Sequence, residues 1–309
     1  MRAELHARRV QGQRVPLAAN CCSVLAKLLC AVLLGMALAG CSAVKIAYNN
    51  LPDISYWWLD SYVDFDSVQT PRVREQLTLL LERHRKTELP KLLVLVEKAE
   101  RMAPGDITAA QVCDFSEDVR KSLLATALDA AEPGAHVAMS LSEAQLQHLQ
   151  EKYAKKNAEY ADDWLDKSVE KQRQKRYDSF LDRSEDFYGT LDGTQRKMLR
   201  QQIDRSIFDP RRMDAERRRR QQDALALLRG FSGNGSARVS EVQAAFVAYV
   251  KRISDPPPGP WRDYQQALLH EGCTNIAQMH NATRPEQREQ AVRRIQAYAQ
   301  DLRDLAAAP

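Results

Sequence analysis

Leu141-Ser142-Glu143-Ala144-Gln145-Leu146-Gln147-His148-Leu149 is the stretch on which the fold turns. Ser142 has the side chain of a helix N-cap, and Gln145 stands three residues on, where its amide can reach back to the cap's own N–H. Leu146, Leu149, Tyr153, Tyr160 and Trp164 then follow at spacings that keep one helix face apolar. The same start recurs at Ile107-Thr108-Ala109-Ala110-Gln111, Leu191-Asp192-Gly193-Thr194-Gln195 and Val239-Ser240-Glu241-Val242-Gln243, with a related one at Thr283-Arg284-Pro285-Glu286. Val112 and Leu146 add the hydrophobic staple at the first two. The starts are too irregularly spaced for a solenoid. They read as helix beginnings in a helical protein.

Working outward, apolar residues keep spacings of three and four from about residue 71, and strand-like alternation is almost absent. Helices are expected over 71–102 (opened by Thr70-Pro71 and kinked near Pro90), 108–130, 142–189, 192–208, 210–229, 240–254, 260–280 and 283–306. Breaks are expected at Pro104-Gly105, Pro133-Gly134, Gly189, Gly230 and Pro256-Pro257-Pro258-Gly259. The 142–189 segment is long for one globular helix, and Glu170 to Arg176 is wholly polar, so a rod and two helices with an unmarked break both fit. With only 12 Gly and 13 Pro in 309 residues an all-β chain is disfavoured. The expected fold is all-α, an elongated multi-helix bundle of long antiparallel helices.

The formal charge of +4 lies wholly in the first 40 residues, where Arg2, Arg8, Arg9, Arg14 and Lys27 face Glu4 alone. The rest is neutral, which argues against general nucleic-acid binding. Leu28 to Leu38 is apolar but too short to span a bilayer, and with the preceding arginines it has the parts of a signal peptide. Leu38-Ala39-Gly40-Cys41 looks like a bacterial lipobox. That resemblance implies a signal peptide over 1–40, lipidation of Cys41, a tether over 41–52 and a helical body over 53–309. A true start at Val24 would leave a compact signal. By the same resemblance Ser42, where an Asp would mean inner-membrane retention, points to the outer membrane facing the periplasm. A triacylated cysteine is expected to hold the chain on the membrane by itself.

Tyr56-Trp57-Trp58-Leu59-Asp60-Ser61-Tyr62-Val63-Asp64-Phe65-Asp66 is the most distinctive segment. On a helix Ile54, Trp57, Trp58, Tyr62 and Phe65 share a face that suits a core, a membrane-interface anchor or a client-binding groove. Asp60, Asp64 and Asp66 lack the glycine and terminal glutamate of an EF-hand loop and read as a solvated face. With Cys41–Asn50 before it and His280-Asn281-Ala282-Thr283-Arg284-Pro285-Glu286-Gln287-Arg288 near the end, the segment resembles an uncharacterised family of proteobacterial helical lipoproteins. The resemblance runs from Cys41 to Ala307 and implies an envelope lipoprotein with a helical body. It implies no activity and no catalytic residues.

No P-loop, dinucleotide turn, nucleophile elbow, HExxH or paired CxxC occurs in the sequence, and His270 with Cys273 lacks further ligands at metal spacing. No cofactor, metal or small-molecule substrate is implied. Arg217, Arg218, Arg219 and Arg220 form the strongest local charge. A solvated face paired with Asp214, Glu216 and Asp223, anionic lipid, or an acidic envelope partner would each accommodate them. Once the leader is removed and Cys41 lipidated, Cys113 and Cys273 are the remaining thiols, and a disulfide between them is expected, with two buried free thiols as the alternative. The leading expectation is a non-enzymatic envelope lipoprotein, a structural or interaction module with membrane and envelope-protein contacts. The alternative is a chaperone: L-[ST]-x-x-Q resembles the LTxxQ motif of Spy-type periplasmic chaperones.

Overall fold

The computed structural model describes residues 44–233 and 236–308, so Cys41, the leader and the Val24 start lie outside the described residues. The compact unit Ala47–Pro309 begins within the stretch read as a tether, because Tyr48 and Asn49 already bond to His84 and Arg85. It is all-α, with no strand among the described residues.

After the helical residues 44–49, twelve α-helices follow: α1 Leu51–Val63, α2 Gln69–Thr87, α3 Leu89–Met102, α4 Ala109–Asp129, α5 Ala131–Ser140, α6 Glu143–Tyr160, α7 Val169–Tyr188, α8 Gly193–Arg205, α9 Pro210–Phe231, α10 Val239–Ser254, α11 Pro260–Asn281 and α12 Pro285–Ala307. They pack pairwise into a bundle: α3 on α12, α5 on α10, α4 on α11, α1 on α2, α6 on α9, and α7 on α8. Buried apolar residues include four clusters, around Tyr56 and Leu146, around Val112 and Cys273, around Ala135 and Val242, and around Leu191 and Met279, with Leu228 packed against the first and the third.

Polar side chains make the joints. Gln69, Gln145, Gln195 and Gln287 are all buried at helix starts, the last three at N3 and Gln69 as the first residue of α2, three after Asp66. In each case Oε1 accepts from the N–H three residues earlier, at Asp66, Ser142, Asp192 and Arg284. The starts meet in two pairs. Gln69 Nε2 donates to Gln145 Oε1 at 3.2 Å and Gln145 Nε2 to Gln69 Oε1 at 2.6 Å. Their second amide hydrogens go to the carbonyls of Ser140 and Asp64. Gln195 and Gln287 repeat this arrangement at 2.7 and 3.1 Å, with Ala282 and Thr190 as outer acceptors. Every outer acceptor lies two residues before the partner helix's cap, so the two joints have the same two-fold pattern. The first also holds Asp64 in a left-handed conformation (φ 58°), uncommon for a side chain other than glycine.

Several boundaries differ from expectation. Asp66, and not Thr70, caps α2: its Oδ1 accepts from Val68 N and Gln69 N at 2.8 Å. Pro90, which has no N–H to give, sits in the first turn of α3 and divides 71–102 at Glu88. Pro133 and Gly134 belong to the first turn of α5, a helix the sequence reading lacked, since proline is tolerated where N–H groups have no intrahelical partner. The 142–189 segment is two helices. A turn of π-helix over Ala161–Leu165 ends the first, and Gln172 Nε2 fastens the bend through the carbonyls of Trp164 and Lys167. The box expected on Ser240 with Gln243 starts two residues early, on Arg238 with Glu241, and the last helix is capped at Arg284, not Thr283. Cys113 and Cys273 are bonded, joining α4 to α11 with Cα atoms 5.4 Å apart. Closing so long a loop contributes about 2–4 kcal/mol in typical cases.

Replacing one glutamine of a joint leaves the other's amide buried without its partner, at a cost of about 1–3 kcal/mol. Gln195→Ala and Gln287→Ala should each lower stability in urea titrations by that amount. The double variant should lose clearly less than the sum of the two; strict additivity would mean the amides act separately.

Candidate functional site

Three places combine exposure, charge or burial in ways a purely structural helix bundle does not require. The first is α1. Its inner side carries Tyr56 and Val63, which pack with Phe65, Val73, Leu141 and Leu146. The opposite side carries Leu51, Ile54, Trp57 and Trp58, all exposed, the tryptophans at 63% and 60%. The core reading of the Ile54–Trp57–Trp58 stripe is therefore corrected, because the helix buries its Tyr56 side and leaves the tryptophan side open. Tyr62 is half-buried at the edge, against Trp58 and Tyr153, with Lys152 Nζ 5.3 Å from its ring centre. The acidic residues of the segment serve its turn: Asp60 accepts from Phe65 N at 3.0 Å and Asp66 caps α2.

The arginine run is the second. Arg217 and Arg218 converge on Asp214, Arg219 on Glu216 and Asp223, and Arg220 on Glu216. Asp214 and Glu216 are buried, and their guanidinium partners outweigh that burial and hold both carboxyls below the usual range. Arg217 also lies over Tyr160 and Arg220 near Trp261. All four cations are engaged by carboxylates of α9 itself, and Arg217 and Arg220 also reach neighbouring elements.

The third is a cleft of about 470 Å³ walled by α7, α8 and α11. Trp164, Phe180, Ile203, Phe208, Leu268 and Ile276 line it, with Gly272 on its wall. Phe180 and Ile276 are exposed although they line a concavity. Arg176 is half-buried beside the cleft, with its guanidinium 4.5 Å from the Phe208 ring centre. Burial pulls its pKa down, and Glu271 offsets this only in part. Sequence reading placed Arg176 in a polar run and Gly272 inside a helix; neither carried a motif. What the sequence lacked was the packing of both α7 and α11 on α8, which brings them to one cleft.

Residues 61–242 match a family of unknown function, DUF6279. The chain belongs to DUF6279. The match includes the end of the aromatic segment, the first glutamine joint and Gln195, whereas Gln287 and the 280–288 stretch lie beyond it. No curated protein and no solved structure matches the chain. In this DUF6279 member the L-[ST]-x-x-Q starts have structural duties. Gln145 sits in a joint, as Gln195 does in the related Asp192 start, and Gln111 closes the box on Thr108.

His280 is buried where α11 ends. Its Nε2 faces the Gly105 carbonyl at 2.9 Å, so that nitrogen carries the proton, and Nδ1 accepts from Tyr188 Oη at 3.0 Å. Burial keeps the ring neutral to lower pH than a free imidazole, while the Gly105 bond opposes the shift. The unfolded chain takes this proton at about pH 6.5. Stability from the site is therefore complete above that pH and falls as pH drops toward the lower folded value. His84 shifts in the same direction, also through burial. Thermal midpoints should fall between pH 7.5 and 5.5, and His280→Gln should remove part of that fall; an unchanged slope would exclude His280 as a contributor.

Proposed function

We propose that this DUF6279 protein is a non-enzymatic lipoprotein of the bacterial envelope, an interaction module anchored through Cys41 on the periplasmic face of the outer membrane. In this reading the exposed side of α1 rests in the bilayer interface. That side carries the reading: two adjacent tryptophans with Leu51 and Ile54 form an exposed apolar strip. Amphipathic aromatic rings favour the boundary between acyl chains and headgroups. Cys41 precedes Leu51 by ten residues, a reach of at most about 35 Å, so an anchor there holds the strip close to lipid. No helix among the described residues is long and apolar enough to cross a membrane. The neutral charge beyond residue 40 adds little general attraction to anionic lipid, which leaves acyl chains and aromatic rings as the contacts.

A non-catalytic role is supported by the duties of the titratable groups, since Asp60, Asp66, Asp192, Asp214 and Glu216 work in caps and ion pairs. The Spy-like chaperone reading has the open apolar cleft as its support. Suppression of aggregation of a denatured substrate by the purified protein would favour it, and no effect at stoichiometric excess would remove it.

The membrane reading is tested on the full-length protein carrying Trp164→Phe and Trp261→Phe, so that only Trp57 and Trp58 emit. In vesicles of acyl-brominated lipid their fluorescence should be quenched relative to unbrominated vesicles. Cys41→Ser should abolish palmitate incorporation in cells. Tryptophans that stay bright in brominated vesicles would remove α1 from the bilayer, and labelled Cys41→Ser would refute the anchor.

A further inference from the structure

The cleft between α7, α8 and α11 carries an electrostatic mismatch. Arg176 brings a full positive charge to an apolar wall, and burying a cation is costly unless it is paired. Its one hydrogen bond among the described residues goes from Nη2 to Ser206 Oγ, a neutral acceptor, at 2.9 Å. Glu271, the carboxylate that raises its pKa, does not bond to it. One Glu271 oxygen accepts from Ser206 Oγ and the other from Ile207 N at 2.8 Å. Lys175, also on the cleft, is engaged with Asp163 at 3.1 Å. Most of the planar donor fork of Arg176 is thus unused, stacked on Phe208 at the edge of an apolar hollow.

The hollow is also kept open by the backbone. Gly272 lies in the middle of α11, where glycine costs about 1 kcal/mol relative to alanine. A Cβ built on Gly272 would meet no heavy atom within 4 Å, so helix packing does not demand glycine there. What its missing side chain does is leave room in the cleft. A concavity of this size, mostly apolar with a few charged groups (Lys175, Arg176 and Glu271) on its wall, is the usual form of a small-ligand site.

We propose that this cleft binds a single-chain anionic amphiphile, with the acyl chain along Phe180, Ile203, Leu268 and Ile276 and the carboxylate or phosphate head on the free N–H groups of Arg176. The chain gives the exposed rims of Phe180 and Ile276 an apolar partner. The head supplies the charge that Arg176 lacks, in a bidentate geometry suited to either oxyanion. The site needs neither the Cys41 anchor nor the α1 membrane contact, and its failure would leave both untouched.

The test uses the full-length protein in phosphatidylcholine vesicles with three photoreactive probes sharing one diazirine-bearing C16 chain: the free fatty acid, a lysophosphatidylglycerol and a neutral monoacylglycerol. After photolysis, labelled peptides are mapped by mass spectrometry. The fatty acid, the lysophospholipid or both should label α7, α8 and α11 well above the neutral probe, and the stronger of the two identifies the source of the head. Arg176→Gln should reduce acidic-probe labelling about tenfold, the loss of one charge-assisted contact. Gly272→Leu should block all three probes with helicity unchanged by circular dichroism. Equal labelling by neutral and acidic chains would overturn the anion assignment, even if Arg176→Gln failed to fold. Labelling that persists in a folded Gly272→Leu protein, or falls elsewhere, would overturn the site.

Discussion

A helix that begins inside a protein brings N–H groups with no intrahelical acceptor, and burying them unpaired is expensive. Here four helix starts are brought together in pairs away from water. Each joint glutamine answers the demand twice: its oxygen takes the cap N–H of its own helix, and its amide hydrogens reach the partner glutamine and a carbonyl before the partner helix. The position of α6 against the turn after α1 follows from the first joint. That of α12 beside α8 follows from the second. The first joint connects helices that also share the apolar cluster around Tyr56 and Leu146, so amide contacts and apolar packing fix the same register there.

The contrast between α1 and α9 shows how composition misleads about exposure. Four consecutive arginines suggest a surface for an acidic partner, yet Asp214, Glu216 and Asp223 engage all of them. Two adjacent tryptophans suggest a core, yet they face out while Tyr56 and Val63 fill the interior. A helix apolar on two sides has only one of them buried by its own chain. The other is where an apolar phase or partner would be met.

Helix content and most helix starts were legible because caps and apolar spacing are local. The Ser142 and Asp192 boxes stand as read, and so does the Thr108 box. Misreadings came where a local signal had two meanings. Pro133-Gly134 marks a break as readily as a first turn, and only the packing of α5 on α10 decides. Asp66-Ser67-Val68-Gln69 was obscured by the adjacent Thr70-Pro71, whose proline also suits a helix start. The Cys113–Cys273 bond could be reached by elimination among thiols. The cleft could not, for Arg176, Ile203 and Gly272 come from three helices whose association is a tertiary fact.

The chemistry of the joints sets what the molecule can withstand. A primary amide has no proton to lose or gain in the ordinary range and no net charge for ions to shield. Four such groups therefore hold their partners equally in dilute or concentrated salt and in mild acid or base, where joints made of carboxylates would weaken. Titration is left to neighbours such as His280, two residues from the Ala282 carbonyl that Gln195 grips. The amide contacts between helix starts are indifferent to the ionic composition around them, and the response to that composition falls to groups alongside, such as the carboxylate caps and the Asp192–Arg284 ion pair.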